Sequence, residues 1–134
     1  MGNKTSQVKI SFEDVQRHIT LHDESYVMIN TMPLNMQSCL IPSTVDSNNE
    51  ENVINDLLKN NADKKIIIYG LNNNDESVIK KYKQLLSLGF QNIFIYLGGL
   101  FEWLLLQDIY GNDNFPTTIR ELDIKKYNPT KKYK

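Results

Sequence analysis

This sequence has few of the residues that build metal centres, disulfide frameworks or membrane spans. Its 134 residues include one cysteine, Cys39, which excludes an internal disulfide and a multi-cysteine zinc site. The two histidines, His18 and His22, have the i, i+4 spacing of a metal pair, but no third ligand accompanies them, so we interpret them as surface residues. The longest apolar run, Ile93 to Leu97, is too short to cross a bilayer. The mostly polar stretch from Met1 to Ile10 does not resemble a signal peptide.

The charge is nearly balanced overall but unevenly distributed. A net charge of −1 argues against nucleic-acid binding by bulk electrostatics. Residues 1–123 carry 10 basic and 16 acidic groups, whereas residues 124–134 carry five lysines and no acid. We therefore predict an N-terminal arm (1–9), a folded domain (10–123) and a basic tail (124–134). The tail lysines are Lys125, Lys126, Lys131, Lys132 and Lys134. They either bind an anionic membrane surface or only keep the terminus solvated.

Hydrophobic patterns alternate between strand and helix along the chain. Strands are predicted at Val8–Ile10, Tyr26–Asn30, Ile66–Tyr69 and Ile93–Leu97. Helices are predicted at Phe12–Thr20, Val53–Asn61, Asp75–Leu88 (with Asn74 as N-cap) and Leu100–Asp108, with a short one near Thr118–Leu122. The run Ile66–Tyr69 is apolar on both faces, as in the middle of a parallel sheet. The order predicts one α/β domain whose mostly parallel sheet carries helices on both faces.

Several short motifs, in this order, resemble the rhodanese-like domain family. The second half contributes Ile66–Tyr69, Leu88-Gly89-Phe90 and Leu97-Gly98-Gly99-Leu100-Phe101-Glu102-Trp103; the first half contributes Ile10–Asp14, Met28–Thr31 and Leu40-Ile41-Pro42. The resemblance covers Ile10 to Leu106. The continuation to Thr118 is most similar to rhodanese-like proteins of protists and large DNA viruses. The resemblance implies a sulfurtransferase fold.

The loop that carries catalysis in that family differs here. The resemblance places the family's nucleophilic cysteine at Gly70, where no sulfur can be accepted. Asp75 and Glu76 would raise a thiol's pKa and repel thiosulfate or a phosphate ester. Asn30 and Met32 stand where the family has an aspartate and an arginine. We therefore predict no sulfurtransferase or cysteine-phosphatase activity, no cofactor and no metal. The degenerate loop comprises Gly70, Leu71, Asn72, Asn73, Asn74, Asp75, Glu76 and Ser77, and its segment Asn72–Glu76 is predicted to recognise a protein partner.

Other interpretations remain beside this one. Cys39 is either a small semi-buried hydrophobe or a displaced nucleophile of an active sulfurtransferase. A structural component of a virus particle is a third hypothesis, based only on the subgroup resemblance. Gly98-Gly99 is interpreted as a plain tight turn, and Trp103 as a core residue.

The amino terminus matches the N-myristoylation pattern, with Gly2 exposed once Met1 is removed and Ser6 at the preferred position. A single myristoyl chain binds membranes only marginally, so stable attachment needs a second signal. The tail lysines could supply it by binding an anionic leaflet. We predict a cytoplasmic protein that is peripheral on the cytosolic face of a membrane. The alternative is an unmodified arm.

Overall fold

The computed structural model describes residues 7–129, which form a parallel five-stranded sheet with helices on both faces. The strands are β1 (Val8–Ile10), β2 (Tyr26–Asn30), β3 (Thr44–Val45), β4 (Lys65–Tyr69) and β5 (Ile93–Tyr96). The helices are α1 (Phe12–Thr20), α2 (Ser47–Asn60), α3 (Glu76–Leu88) and α4 (Gly99–Tyr110), with 3₁₀ turns at Leu34–Met36 and Ile124–Tyr127. The sheet order is β1-β5-β4-β2-β3. The predicted α/β architecture is confirmed.

Strand β4 lies at the centre of the sheet, paired with β2 on one side and β5 on the other. Ile66 and Ile68 pack into the core layer formed with α2 and α3. Ile67 and Tyr69 pack into the opposite layer, formed with α1 and α4. Each of these four side chains is at most 1% exposed. The strand is therefore buried on both faces, as its continuous apolar run predicts.

Trp103 packs at the centre of the α1–α4 layer and is fully buried, as predicted from its helical stripe. Its ring lies edge-on to Phe115 at 5.1 Å between centroids. Its Nε1 donates a hydrogen bond to the Pro116 carbonyl at 2.8 Å. Helix α4 is thereby joined to the chain that follows it.

Capping residues determine where the helices begin and end. The Ser11 amide donates to the Asp14 carboxylate at 3.0 Å, as the capping-box pattern at α1 predicts. Gly89 ends α3 in the left-handed conformation, with φ of 111°. Helix α2 begins earlier than its apolar stripe indicates, because Asp46 accepts a hydrogen bond from the Asn48 amide and caps a polar first turn.

The helix predicted near Thr118–Leu122 is wrong. Thr118 donates its amide to the Leu40 carbonyl at 2.8 Å and its hydroxyl to the Ser38 carbonyl at 2.7 Å. The same hydroxyl accepts from the Leu40 amide at 2.9 Å. Because these bonds hold the backbone beside residues 38–40, no helix forms there. We call residues 117–127 the C-terminal strap.

Both predicted termini contribute residues to the folded unit. From the arm, Val8 and Lys9 join Ile10 in β1, which pairs with β5 at the edge of the sheet. From the tail, Tyr127 is 1% exposed and packs with the α1–α4 layer. Gly2, Lys131, Lys132 and Lys134 lie outside the described residues.

Candidate functional site

The loop between β4 and α3 is organised around the carboxylate of Asp75. Its Oδ1 accepts hydrogen bonds from the Ser77 amide at 3.0 Å and the Ser77 hydroxyl at 2.6 Å. Its Oδ2 accepts a hydrogen bond from the Leu71 amide at 2.9 Å. Asp75, rather than the predicted Asn74, is therefore the N-cap of α3. The sequence allowed either residue, but only Asp75 reaches both the helix and the start of the loop.

The carboxylate of Asp75 also fills the space beside Gly70. A Cβ built on Gly70 would lie 2.7 Å from Thr31 Oγ1 and 2.7 Å from Val78 Cγ2. It would lie closer still to Asp75 Oδ2. Side-chain carbons do not approach other atoms this closely, so a side chain at position 70 requires its neighbours to move.

Two loop carbonyls satisfy the first amides of α4. Leu100 donates to the Gly70 carbonyl at 3.0 Å, and Phe101 donates to the Leu71 carbonyl at 2.9 Å. Gly99 has φ of 68°, and a Cβ there would lie 2.7 Å from the Gly70 carbonyl oxygen. Gly99 is thus needed for close backbone approach as well as for the turn. The interpretation of Gly98-Gly99 as a plain tight turn missed this contact.

Asn72 fixes the loop to the C-terminal strap. Its side chain is buried, and Nδ2 donates to the Tyr127 carbonyl at 2.7 Å. Its Oδ1 accepts from the Asn74 amide at 2.9 Å. In the predicted recognition segment Asn72–Glu76, Asn72 and Asp75 therefore point inward. Asn73, Asn74 and Glu76 are the exposed residues.

At the end of β2, the uncharged side chain of Asn30 forms hydrogen bonds with the segment that follows the strand. Its Oδ1 accepts from the Met32 amide at 3.0 Å and from Gln37 Nε2 at 2.8 Å. Its Nδ2 donates to Gln37 Oε1 at 3.0 Å. Met32 is buried in the core. The two positions at which the resemblance places the family's aspartate and arginine thus have structural roles here.

A groove of about 850 Å³ opens between α2 and α3, next to the loop. Thr31 and Ser77 line its end nearest the loop, and their hydroxyl oxygens lie 2.7 Å apart. Lys81 of α3 pairs with Glu50 of α2 across the groove. The apolar side chains of Ile54, Leu85 and Leu88 also line it. The groove thus combines apolar surface with charges of both signs.

Cys39 is 3% exposed and packs in the α1–α4 layer. Its thiol donates a weak hydrogen bond to the Ile119 carbonyl at 3.4 Å. Burial raises the pKa of this thiol, which disfavours the thiolate that a nucleophile requires. The environment is that of a small buried hydrophobe.

The two histidines occupy different environments. His18 is buried, contrary to its prediction as a surface residue, because its ring packs edge-on against Tyr26 at 5.3 Å between centroids. Burial lowers the pKa of His18. His22 is exposed. Across residues 7–129, no group of three His, Cys, Asp or Glu side chains is placed to hold a metal ion.

The described part of the tail is fixed to the domain. Lys126 Nζ lies 2.7 Å from Glu121 Oε1, and this contact raises the pKa of Lys126. Lys125 is exposed. None of the helices within residues 7–129 is long and apolar enough to span a membrane.

The fold is that of a rhodanese-type α/β domain, and comparison with known proteins agrees. A model of the family described as rhodanese-like domain matches residues 34–106, more than half of the chain. The chain therefore belongs to the rhodanese-like domain family. No curated protein matches it.

Solved structures from several organisms share this fold. The rhodanese-like domain from Anabaena sp., solved by solution NMR, is 16% identical with a TM-score of 0.57, covering 96% of this chain and 89% of its own. The single-domain sulfurtransferase RDL2 of Saccharomyces cerevisiae is 18% identical with a TM-score of 0.59, covering 85% and 99% respectively. Thiosulfate sulfurtransferase of Pseudomonas aeruginosa is 17% identical with a TM-score of 0.60, covering 90% of this chain and 23% of that protein.

The role of Asp75 can be measured by substitution. We expect Asp75→Ala to lower the free energy of unfolding by about 2 kcal/mol, since it removes the N-cap of α3 and leaves the Leu71 amide unpaired. Urea denaturation followed by circular dichroism measures the change. Asn74→Ala is the matched control and should change the free energy by less than about 0.5 kcal/mol. Equal effects of the two substitutions would contradict the assignment of the cap.

Proposed function

We propose that this chain is a catalytically inactive rhodanese-like domain that acts as a protein-binding or scaffold module, tethered to a membrane through N-myristoylation. The observation that carries the first part is the filled space at Gly70. At the position where the family resemblance places the nucleophilic cysteine, there is no side chain, and the Asp75 carboxylate occupies the space that one would need.

The charges of the loop support the same proposal. A persulfide-forming thiolate needs donors and positive charge around it to lower its pKa. Here the Leu71 and Ser77 amides, which could serve a bound anion, already donate to Asp75. The carboxylate would also repel thiosulfate. The rival, an active sulfurtransferase that uses Cys39, gains no support from a buried thiol whose pKa is raised.

The surface next to the loop supports a binding role. Asn73, Asn74 and Glu76 are exposed at the carboxyl edge of the sheet. The adjoining α2–α3 groove offers apolar side chains beside Lys81 and Glu50, a mixture suited to a protein segment. We propose that the partner contacts this combined surface.

The tether is proposed from the terminal sequences. Gly2 and Ser6 fit the acylation pattern, and the tail lysines would supply the second, electrostatic signal. The corresponding location is the cytosolic face of a membrane.

Incubation with thiosulfate and cyanide tests the loss of catalysis. We expect no thiocyanate above the rate without protein, and no mass increase of one sulfur after thiosulfate alone, because no accessible thiolate is available. An active sulfurtransferase is the positive control. Turnover that disappears in Cys39→Ser would overturn the proposal in favour of a displaced nucleophile.

Site-specific photo-crosslinking tests the binding surface. A photoreactive amino acid placed at Asn74 is expected to capture a protein partner in cells that contain it. The same group at Leu21, which is 66% exposed where α1 ends, is the matched control. Capture of the same protein from both positions, or from neither, would argue against recognition at this edge.

Intact mass spectrometry tests the tether. Protein expressed in eukaryotic cells should lack Met1 and carry one myristoyl group, and Gly2→Ala should lose that group because the transferase needs an amino-terminal glycine. An unacylated Gly2 in the wild-type protein would refute this part of the proposal.

A further inference from the structure

The groove between α2 and α3 has walls of opposite charge. Glu50 and Glu51 lie on the α2 wall, and Lys80 and Lys81 lie on the α3 wall. Glu50 and Lys81 pair with each other across the groove, and their side chains are 15% and 22% exposed. Glu51 and Lys80 are exposed, and neither forms an ion pair with a residue in the range 7–129. One unpaired charge of each sign therefore remains, on opposite rims of the groove.

The ion pair between Glu50 and Lys81 sets the register of the two walls. Helices α2 and α3 both connect parallel strands of one sheet, so they run in the same direction. One turn beyond the ion pair, Ile54 of α2 and Leu85 of α3 form an apolar floor. Leu88 follows on α3 and is 44% exposed. The groove thus offers a charged level nearer the loop and an apolar level beyond it.

A side-chain amide lies on each rim, one turn beyond the unpaired charges. These are Asn55 on α2 and Gln84 on α3. Both are exposed, and no hydrogen bond within residues 7–129 uses either amide group. A carboxamide both donates and accepts, as a backbone peptide group does. The two amides therefore suit an extended segment, whose peptide groups are free, better than a helix, whose peptide groups bond to one another.

We infer that the groove binds an extended segment of a partner protein that carries an acidic, a basic and an aliphatic side chain. The acidic side chain pairs with Lys80, the basic one pairs with Glu51, and the aliphatic one packs on Leu88 and the apolar floor. One helical turn rises about 5.4 Å, and two residues of extended chain span about 6.6 Å. The charged residues of the segment therefore lie about two positions from the aliphatic one.

The opposite charges of the two walls also restrict the class of partner. A nucleic acid or a uniformly basic segment would be repelled by one wall while it was attracted to the other. A segment with both signs is attracted to both walls in only one orientation. The inference rests on the proposed function, because it specifies the chemistry of the protein partner at that same surface.

Selection from a library of random peptides displayed on phage, with the full-length protein as target, tests this groove. We expect enriched peptides to carry an acidic and a basic residue about two positions from an aliphatic one. A synthetic peptide of the enriched sequence should bind Lys80→Glu about tenfold more weakly than the wild type. Changing the acidic residue of that peptide to lysine should restore its binding to Lys80→Glu, because the same pair forms with its signs exchanged.

Lys83→Glu is the matched control, since Lys83 is exposed on α3 but does not line the groove. It should bind the peptide as the wild type does, and circular dichroism should show every variant folded. Gln84→Ala should weaken binding about fivefold, because it removes one amide that bonds to the peptide backbone.

The inference is overturned if no peptide is enriched, or if the enriched peptides bind Lys80→Glu as tightly as Lys83→Glu. It is also overturned if the wild-type protein is a dimer that Lys80→Glu dissociates, because a second copy of the chain would then occupy the groove. None of these results changes the sulfur-transfer or acylation measurements, or capture from Asn74 in the loop. The groove can therefore fail separately from the proposed function.

Discussion

The arrangement of this domain depends on the burial of β4 on both faces of the sheet. Its alternate side chains enter two separate core layers, and the strand pairs with β2 on one edge and with β5 on the other. The last residue, Tyr69, is completely buried, and its hydroxyl accepts a hydrogen bond from the Ile41 amide at 3.1 Å. Burial raises the pKa of this hydroxyl. The packing of β4 in both layers therefore sets the position of Gly70 and of the loop that follows.

Three sets of hydrogen bonds hold the loop between β4 and α3. Asp75 accepts hydrogen bonds within the loop, the loop carbonyls accept from the first amides of α4, and Asn72 donates to the C-terminal strap. Backbone donors that converge at the start of a helix ordinarily make an anion site. In this chain the Asp75 carboxylate takes the place of a bound anion. Because the Leu71 and Ser77 amides are already paired with it, we propose that the remaining role of the loop is recognition by its outer surface.

The parts of the fold that follow from local hydrophobic pattern were predictable. Strand β4, the stripe containing Trp103 and the glycine that ends α3 each have a signal within a few residues. The start of α2 was missed because its first turn is polar, and its only signal is the cap at Asp46. The wrong helix near Thr118 has a different cause, since its hydrogen bonds go to residues about 80 positions earlier in the chain. No local pattern contains that information.

The residues that form the loop could be predicted from the sequence, but the direction in which their side chains point could not. The family resemblance predicts that Gly70 and the acidic residues differ from the family's loop. It did not indicate that Asp75 turns inward, because Asn74 and Asp75 are both good caps and only the Leu71 amide distinguishes them. Burial of His18 was likewise missed, since the covering ring of Tyr26 belongs to a different element.

The filled space at Gly70 also limits how this chain can change over evolutionary time. A glycine codon that ends in T or C becomes a cysteine codon by a single nucleotide change, so from such a codon cysteine can arise at position 70 in one mutational step. In this structure that step places its Cβ against Thr31, Val78 and Asp75 at once. A side chain at this position therefore requires these three neighbouring side chains to move, which shorter residues at their positions would make easier. The tolerance of position 70 for any residue other than glycine thus depends on Thr31, Asp75 and Val78, so these four positions are expected to change together.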